Sequence, residues 1–127
     1  MSDSSPPRIL VVDDEQSVRQ LMTDLLSPFY NVKTVETSEE VKPTMDVYHP
    51  DLVILDVNMP DVDGFDICSH LRQEKKYRNV PILFVSGEKD DALVEKGISS
   101  GGDGYLGKPF EFADLLETVK VLLGKTP

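Results

Sequence analysis

The chain has 127 residues, enough for one domain with a proper core and too few for two. Its net charge of −10 repels phosphate backbones, so we do not expect this domain to bind nucleic acid directly. Hydrophobic residues make up 39% of the chain and charged residues 28%, which excludes a disordered polypeptide and favours a globular one.

The composition also predicts where the protein works. No apolar run reaches the roughly 18 residues that a membrane-spanning helix requires, so no membrane insertion is expected. Residues 1–7 lack the basic and apolar regions of a signal peptide and are predicted to be a flexible tail. The single cysteine, Cys68, can form no internal disulfide and is expected in the core, so the cytoplasm is the predicted compartment.

The predicted domain covers residues 8–124, with a second tail at 125–127. It opens with a continuous apolar strand over residues 8–12, which ends in the acidic residues Asp13 and Asp14. An amphipathic helix follows, because apolar residues recur at helical spacing as far as Pro28. The apolar stripe of this helix comprises Val18, Leu21, Met22, Leu25 and Leu26.

A second strand is predicted over residues 30–37, with Val32 and Val35 as its buried pair. A second helix should follow, although Pro43 restricts it, since proline is tolerated only near a helix N-terminus. The buried face of this helix is predicted to carry Val41, Met45 and Tyr48.

The central strand is the most distinctive element. Four branched apolar residues at 52–55 indicate a strand buried on both faces, and Pro50 and Pro60 bracket it too closely for a helix. The strand places Asp56 at its C-terminal end, where open α/β sheets bind ligands. An isolated aspartate after a strand commonly just begins a turn. A helix over residues 65–73 follows.

The second half of the chain repeats this plan. An apolar strand over residues 82–85 ends at Ser86, and a polar helix covers residues 90–100. A short strand at 104–106 leads to Lys108. The final helix carries a regular apolar stripe, formed by Phe112, Leu115, Leu116, Val119, Leu122 and Leu123.

Strands and helices alternate five times, which predicts a doubly wound α/β domain with a parallel sheet and helices on both faces. The C-terminal ends of parallel strands lie on one edge, so residues distant in sequence should converge there. The residues concerned are Asp13, Asp14, Asp56, Ser86 and Lys108.

Such a cluster of carboxylates requires a cation. Close carboxylates repel by roughly 4 kcal/mol per pair at an effective dielectric constant near 20. Oxygen ligands favour Mg²⁺ or Mn²⁺, whereas zinc prefers histidine and cysteine. A divalent cation beside a carboxylate, a hydroxyl and an ammonium is the equipment of phosphoryl transfer.

The sequence resembles the response-regulator receiver domains of two-component signalling, in particular the chemotaxis-type regulators, over about residues 8–124. Four segments in order make the resemblance specific, and it implies the flavodoxin-like strand order 2-1-3-4-5. The segments are Val11-Val12-Asp13-Asp14, Leu55-Asp56-Val57-Asn58-Met59-Pro60-Asp61-Val62-Asp63-Gly64, Val85-Ser86-Gly87 and Gly104-Tyr105-Leu106-Gly107-Lys108-Pro109-Phe110.

The resemblance implies a role for each residue of the acidic site. Asp56 would accept the phosphoryl group from a phosphohistidine. Asp14, Asp56 and the backbone carbonyl of Asn58 would bind Mg²⁺ (or Mn²⁺) directly, and Asp13 would bind it through water. Lys108 would pair with Asp56 and then with the phosphoryl group, and its peptide bond to the following proline would be cis.

The resemblance also implies a conformational switch. Ser86 would move toward the phosphoryl group, and Tyr105 would rotate inward behind it. Asn58 and Glu88 match the pair that places the hydrolytic water in chemotaxis-type regulators, which implies rapid self-dephosphorylation. Gly87 stands where alanine is commoner. Gly102, Gly104 and Gly107 are expected to weaken local order before the last helix.

The implied partners are proteins. A sensor histidine kinase or histidine phosphotransfer domain would meet the first helix, with Gln16, Arg19 and Gln20 facing outward. A downstream target would dock on the fourth helix, last strand and last helix. The cognate kinase, the target and dimerisation on phosphorylation stay open, as does whether the chain works alone or belongs to a larger protein.

Two alternatives stay open. A receiver-like interaction module that does not depend on phosphorylation would share the fold, although such modules typically lose an acid or the lysine. A magnesium-dependent phosphatase with an aspartyl nucleophile is disfavoured, because that class carries a second aspartate where this chain has Asn58. On the favoured interpretation the chain is no enzyme in the ordinary sense and catalyses only its own phosphorylation and dephosphorylation.

Overall fold

The continuous apolar segments form the strands of one parallel sheet. The computed structural model describes residues 5–88 and 90–124. The strands are β1 (Arg8–Val12), β2 (Asn31–Val35), β3 (Leu52–Asp56), β4 (Ile82–Ser86) and β5 (Gly104–Gly107). All neighbouring strands are parallel, and their spatial order, β2-β1-β3-β4-β5, confirms the predicted doubly wound fold.

Five helices connect and follow these strands, as predicted. They are α1 (Gln16–Leu26), α2 (Val41–Tyr48), α3 (Gly64–Gln73), α4 (Asp91–Ser99) and α5 (Phe112–Leu123). Pro43 is the third residue of α2, within the first turn, where helical N–H groups have no partner inside the helix. Short 3₁₀ helices precede α2 and β4, at Ser38–Glu40 and Lys75–Tyr77. None of the helices that the structure describes is long and apolar enough to cross a bilayer.

The sheet separates two apolar layers. Alternate residues of β1, β3 and β4 point to opposite faces, so these central strands are buried on both sides. Residues of α2, α3 and α4 cover one face, where Cys68 is fully buried as predicted. Residues of α1 and α5 cover the other face.

Two predictions of burial are wrong, and the prediction for Val32 is confirmed only in part. Leu21 is 46% exposed and Phe112 is 39% exposed. In α1 the buried residues are Met22 and Leu26, because a helix resting on a sheet covers only the centre of its apolar stripe. Val32 is half-buried, since β2 is an edge strand.

The Phe84 ring of β4 packs tightly against α3 and against the segment before β5. Phe84 is fully buried, and its ring lies edge-on to Phe65 with the centroids 4.9 Å apart. A Cβ atom on Gly102 would lie 2.2 Å from Cε2 of Phe84, and one on Gly97 would lie 3.1 Å from Cδ2. Gly102 is therefore required by close packing, beyond any effect of glycine on local order.

Two glycine substitutions should change stability in opposite directions. Gly102→Ala is expected to lower the free energy of unfolding by about 1–3 kcal/mol, because the new methyl group overpacks against Phe84. Gly87→Ala should raise it by about 0.4–1 kcal/mol, since its Cβ meets nothing within 4 Å and alanine restricts the unfolded chain. Urea denaturation followed by circular dichroism measures both. Equal stability of the two variants would contradict the packing role of Gly102.

Candidate functional site

Three polar or charged residues are buried in the part of the chain that the structure describes, and all three lie at one edge of the sheet. Asp13 follows β1, Asp56 ends β3 and Ser86 ends β4, and their exposed fractions are 2%, 4% and 0%. The registers align Asp56 with Val85 and Ser86 with Gly107, so these strands end together. The structure therefore brings together strand ends that the sequence predicts should converge.

Lys108 follows β5 and supplies a positive charge to this edge. Its Nζ lies 3.2 Å from Oδ2 of Asp13 and 3.7 Å from Oδ1 of Asp56. Its backbone N–H donates to the carbonyl oxygen of Ser86 at 2.7 Å, which ties the segment after β5 to β4. The Lys108–Asp56 pair is present and the Lys108–Pro109 peptide is cis, although Asp13 is the nearer partner of the ammonium.

The carboxyl group of Asp56 ionises less readily than an ordinary aspartate. Burial, the charge of Asp13 and a smaller effect of Asp14 raise its pKa to about 6. Lys108 and the backbone N–H of Asn58, which donates to Oδ1 at 3.3 Å, lower the pKa in part. At neutral pH the group is thus mostly ionised in surroundings that attract a cation.

Three consecutive acids form a second part of the site. Carboxylate oxygens of Asp13, Asp14 and Glu15 all lie within 4.8 Å of one another. Because this donor set consists of oxygen alone, it fits Mg²⁺ or Mn²⁺. The predicted ligand set combines Asp14 with Asp56 and the Asn58 carbonyl. The structure adds Glu15 to the acids that could help to hold the ion. Its position directly after two aspartates is the sequence signal that could have identified it.

Ser86 is connected to the residues predicted to act with it. Its Oγ accepts hydrogen bonds from the backbone N–H of Glu88 at 3.1 Å and from Nδ2 of Asn58 at 3.4 Å. The hydroxyl of Tyr105 donates to the backbone carbonyl of Glu88 at 2.6 Å, and the half-buried ring packs beside Phe84. The loop after β4 therefore contacts both predicted switch residues.

The loop after Asp56 is shaped by close backbone contacts. Asn58 and Asp63 form an antiparallel bridge, and the Asp63 carboxylate caps α3 by accepting the N–H of Phe65 at 2.8 Å. A Cβ atom on Gly64 would lie 2.3 Å from the carbonyl oxygen of Asp56, so only glycine allows α3 to begin there. The start of α3 is thus held against the end of β3.

Arg19 is a residue whose predicted position is wrong. Gln16 and Gln20 are exposed as predicted, but only 17% of the Arg19 side chain is exposed. Its NH1 group donates to the backbone carbonyl of Asp13 at 2.9 Å, and NH2 lies 3.7 Å from Glu36. Helical spacing places Arg19 off the apolar stripe and gives no signal for this contact.

Comparison with known proteins agrees with this geometry. The sequence matches the response regulator receiver domain family over residues 9–120. The chain belongs to this family. Solved receiver domains share its fold. The chemotaxis protein CheY4 of Vibrio cholerae superposes with a TM-score of 0.88 at 31% identity, covering 93% of this chain and 99% of that one. A putative response regulator from Chloroflexus aurantiacus gives 0.89 at 31% identity, covering 94% and 99%.

Longer curated relatives contain a similar receiver domain. The probable transcriptional regulator ycf27 of Cyanophora paradoxa is 38% identical over 120 residues, which are 94% of this chain and 49% of that protein. The transcriptional regulatory protein GltR of Pseudomonas aeruginosa is 36% identical over 116 residues, 91% of this chain and 48% of that protein. This chain therefore spans about half the length of these relatives.

The raised pKa of Asp56 predicts how stability of this receiver domain depends on pH. Because the pKa of Asp56 is higher in the folded state, the contribution of this carboxyl group to folding stability is complete below its unfolded pKa of 3.8. That contribution is lost as the pH rises through the folded-state pKa of about 6. At pH 7.5 without divalent cations, the free energy of unfolding of the Asp56→Asn variant should therefore be about 2–3 kcal/mol higher than that of the wild type. Chemical denaturation in EDTA measures this difference.

The same comparison at pH 4 is the control, because the advantage of the variant should shrink as the wild-type carboxyl becomes protonated. A variant less stable than the wild type at pH 7.5, or an advantage independent of pH, would contradict the raised pKa.

Proposed function

We propose that this receiver domain is the phosphoacceptor of a two-component phosphorelay and that Asp56 takes the phosphoryl group. One observation carries the proposal: a buried Asp56 carboxylate lies 3.7 Å from the Lys108 ammonium, with further carboxylates beside it at the same sheet edge. A receiver domain of this family offers a carboxylate to the phosphohistidine of a histidine kinase or a histidine phosphotransfer domain.

The proposed reaction forms an acyl phosphate on Asp56. A carboxylate oxygen attacks the phosphorus, the new P–O bond forms as the P–N bond to the donor imidazole breaks, and the imidazole nitrogen keeps the electron pair. Because the pKa of Asp56 is about 6, most of the group is available as the nucleophile at neutral pH.

The surrounding residues stabilise the transferring group. The Lys108 ammonium lies between the Asp13 and Asp56 carboxylates. From there it can pair with a phosphoryl oxygen as negative charge develops on that oxygen. Asp13, Asp14, Asp56 and the Asn58 carbonyl would hold Mg²⁺ (or Mn²⁺), and Glu15 adds a further carboxylate nearby. When bound, the ion would supply charge neutralisation for the equatorial oxygens.

Phosphorylation would then act on the loop after β4. The phosphorylated side chain carries a charge of about −2, which attracts the Ser86 hydroxyl. That hydroxyl accepts the N–H of Glu88, whose carbonyl in turn accepts the Tyr105 hydroxyl. A shift of Ser86 therefore disturbs the contact that holds Tyr105, and the α4–β5–α5 surface changes for a downstream partner.

The remaining expectations form part of the same proposal. The receiver domain spans residues 8–124; residues 1–4 and 125–127 of its predicted tails lie outside those that the structure describes. It works in the cytoplasm, meets its phosphodonor protein at α1, binds no nucleic acid itself and turns over no separate substrate. The transcriptional role named for the longer relatives belongs to those proteins, and dimerisation on phosphorylation stays an open proposal.

Small phosphodonors test the acceptor directly. Incubation with phosphoramidate and Mg²⁺ should add one phosphoryl group by intact mass, and Asp56→Asn should add none, because the attacking oxygen is lost. Asp61→Asn is the matched control, since it removes an exposed carboxylate from the same loop and should leave the incorporation intact. Failure of the wild type to incorporate phosphate would favour the phosphorylation-independent module, and repeated turnover of a phosphate ester would favour the phosphatase.

The lifetime of the acyl phosphate tests the proposed role of Asn58 and Glu88. Both side chains are exposed at the mouth of the site, where they can position water. The phosphorylated wild type should lose its phosphate quickly, and Asn58→Ala and Glu88→Ala should slow this loss. Phosphate release after removal of the donor measures the rates. A wild-type phosphate stable for hours in magnesium buffer would contradict the role.

A further inference from the structure

Arg19 reaches back from α1 to the acidic loop that follows β1. Its side chain is mostly buried, and its NH1 group donates to the backbone carbonyl of Asp13 at 2.9 Å. Its NH2 group lies 3.7 Å from the Glu36 carboxylate, which follows β2. The forked guanidinium therefore joins the acidic loop to the end of the neighbouring strand.

This contact fixes the peptide between the two aspartates. The Asp13 N–H donates to the Val35 carbonyl at 3.2 Å, and the Asp13 carboxylate accepts the Glu15 N–H at 2.9 Å. The Asp13 carbonyl shares a peptide plane with the Asp14 N–H. Its charge-assisted bond to Arg19 therefore sets the direction in which Asp14 leaves the strand.

Arg19 has two opposing effects on a cation at the acidic loop. Its positive charge alone would repel the ion. The Glu36 carboxylate offsets that charge, although it is 63% exposed and forms a weak pair. The bond to the Asp13 carbonyl orders the loop before an ion arrives, and removing such partners of metal ligands commonly weakens metal binding.

We propose that Arg19 is a positioning residue for the divalent cation: through the Asp13 carbonyl it holds Asp14 in the orientation that binds Mg²⁺. The inference rests on the proposed function, which places the ion at these acids. On this proposal Arg19 would touch neither the ion nor the phosphoryl group and would act through the Asp13 backbone alone.

Calorimetric titration with Mg²⁺, without any phosphodonor, tests the proposal. Arg19→Gln is expected to weaken Mg²⁺ binding by about tenfold, the lower end of the effect of losing a partner of a metal ligand. Arg19→Lys should also weaken it, because a single ammonium keeps the charge but lacks the planar guanidinium that directs NH1 to the Asp13 carbonyl. With phosphoramidate, both variants should need more Mg²⁺ for half-maximal rate yet reach the wild-type rate at saturation.

Two controls separate position from charge. Arg78→Gln removes the same charge from an exposed site beyond the opposite edge of the sheet, and it should leave Mg²⁺ binding unchanged. Glu36→Gln removes only the weak surface pair and should change binding little. Thermal melting without Mg²⁺ shows whether each variant is folded, and Arg19→Lys carries the test if Arg19→Gln is not.

Each outcome is decisive. Wild-type affinity in the Arg19→Gln variant, or tighter binding, would overturn the inference while leaving the proposed function intact. Wild-type affinity in Arg19→Lys alone would show that the planar guanidinium is not needed, which also overturns the inference. A wild type that binds no Mg²⁺ would instead contradict the proposed function at its metal site, and this inference with it.

Discussion

The structure depends on the placement of one ammonium group between two buried carboxylates. Asp13 and Asp56 are almost wholly shielded from water, and Lys108 approaches both within 4 Å. Removing the Lys108 ammonium would leave two buried carboxylates uncompensated, which is strongly destabilising. One lysine cannot balance Asp13, Asp14, Glu15 and Asp56 together, so the edge stays negative and favours a further cation. The parallel sheet creates this situation, since it is the fold that brings four strand ends to one place.

A continuous set of contacts leads from that edge to the surface. The Oγ atom of Ser86 accepts a hydrogen bond from the backbone N–H of Glu88, and the backbone carbonyl of Glu88 accepts one from the Tyr105 hydroxyl. The Tyr105 ring lies beside Phe84, with the centroids 6.3 Å apart, and Phe84 fills the space that Gly102 leaves open. A movement of Ser86 therefore disturbs the hydrogen bonds that hold Glu88 and Tyr105, and the packed Phe84 ring beside Tyr105 limits how these neighbours can respond. This packing gives the proposed switch a physical basis, because a dense core passes displacement on to its neighbours.

The sequence alone predicts the features that depend on periodicity and topology. Continuous apolar strands followed by Asp13, Asp56, Ser86 and Lys108 suffice to predict the sheet and the edge at which these residues meet, and both predictions of the fold are confirmed. The misses concern individual side chains. The position of Arg19 depends on the rotation of α1 about its axis and on the reach of a long side chain, neither of which spacing fixes. The exposure of Leu21 depends on how much of a helix the sheet covers.

The pKa of Asp56 connects the stability of this edge with its proposed chemistry. The burial and the neighbouring charges that raise the pKa also disfavour the ionised carboxylate that the reaction uses. A fully exposed aspartate would ionise more readily, but water would compete with Lys108 and with any bound cation for its oxygens. A deeply buried aspartate without these partners would stay protonated and could not attack. The observed position lies between these limits: Asp56 is buried, yet Lys108 and the Asn58 N–H limit the rise of its pKa to about 6, so the group ionises at neutral pH. In the proposed reaction, a charge of about −2 replaces the single charge of the carboxylate. The phosphorylated side chain therefore requires more neutralisation from Lys108 and from any bound cation. The groups that make Asp56 a nucleophile are then the groups that must reorganise once it is phosphorylated.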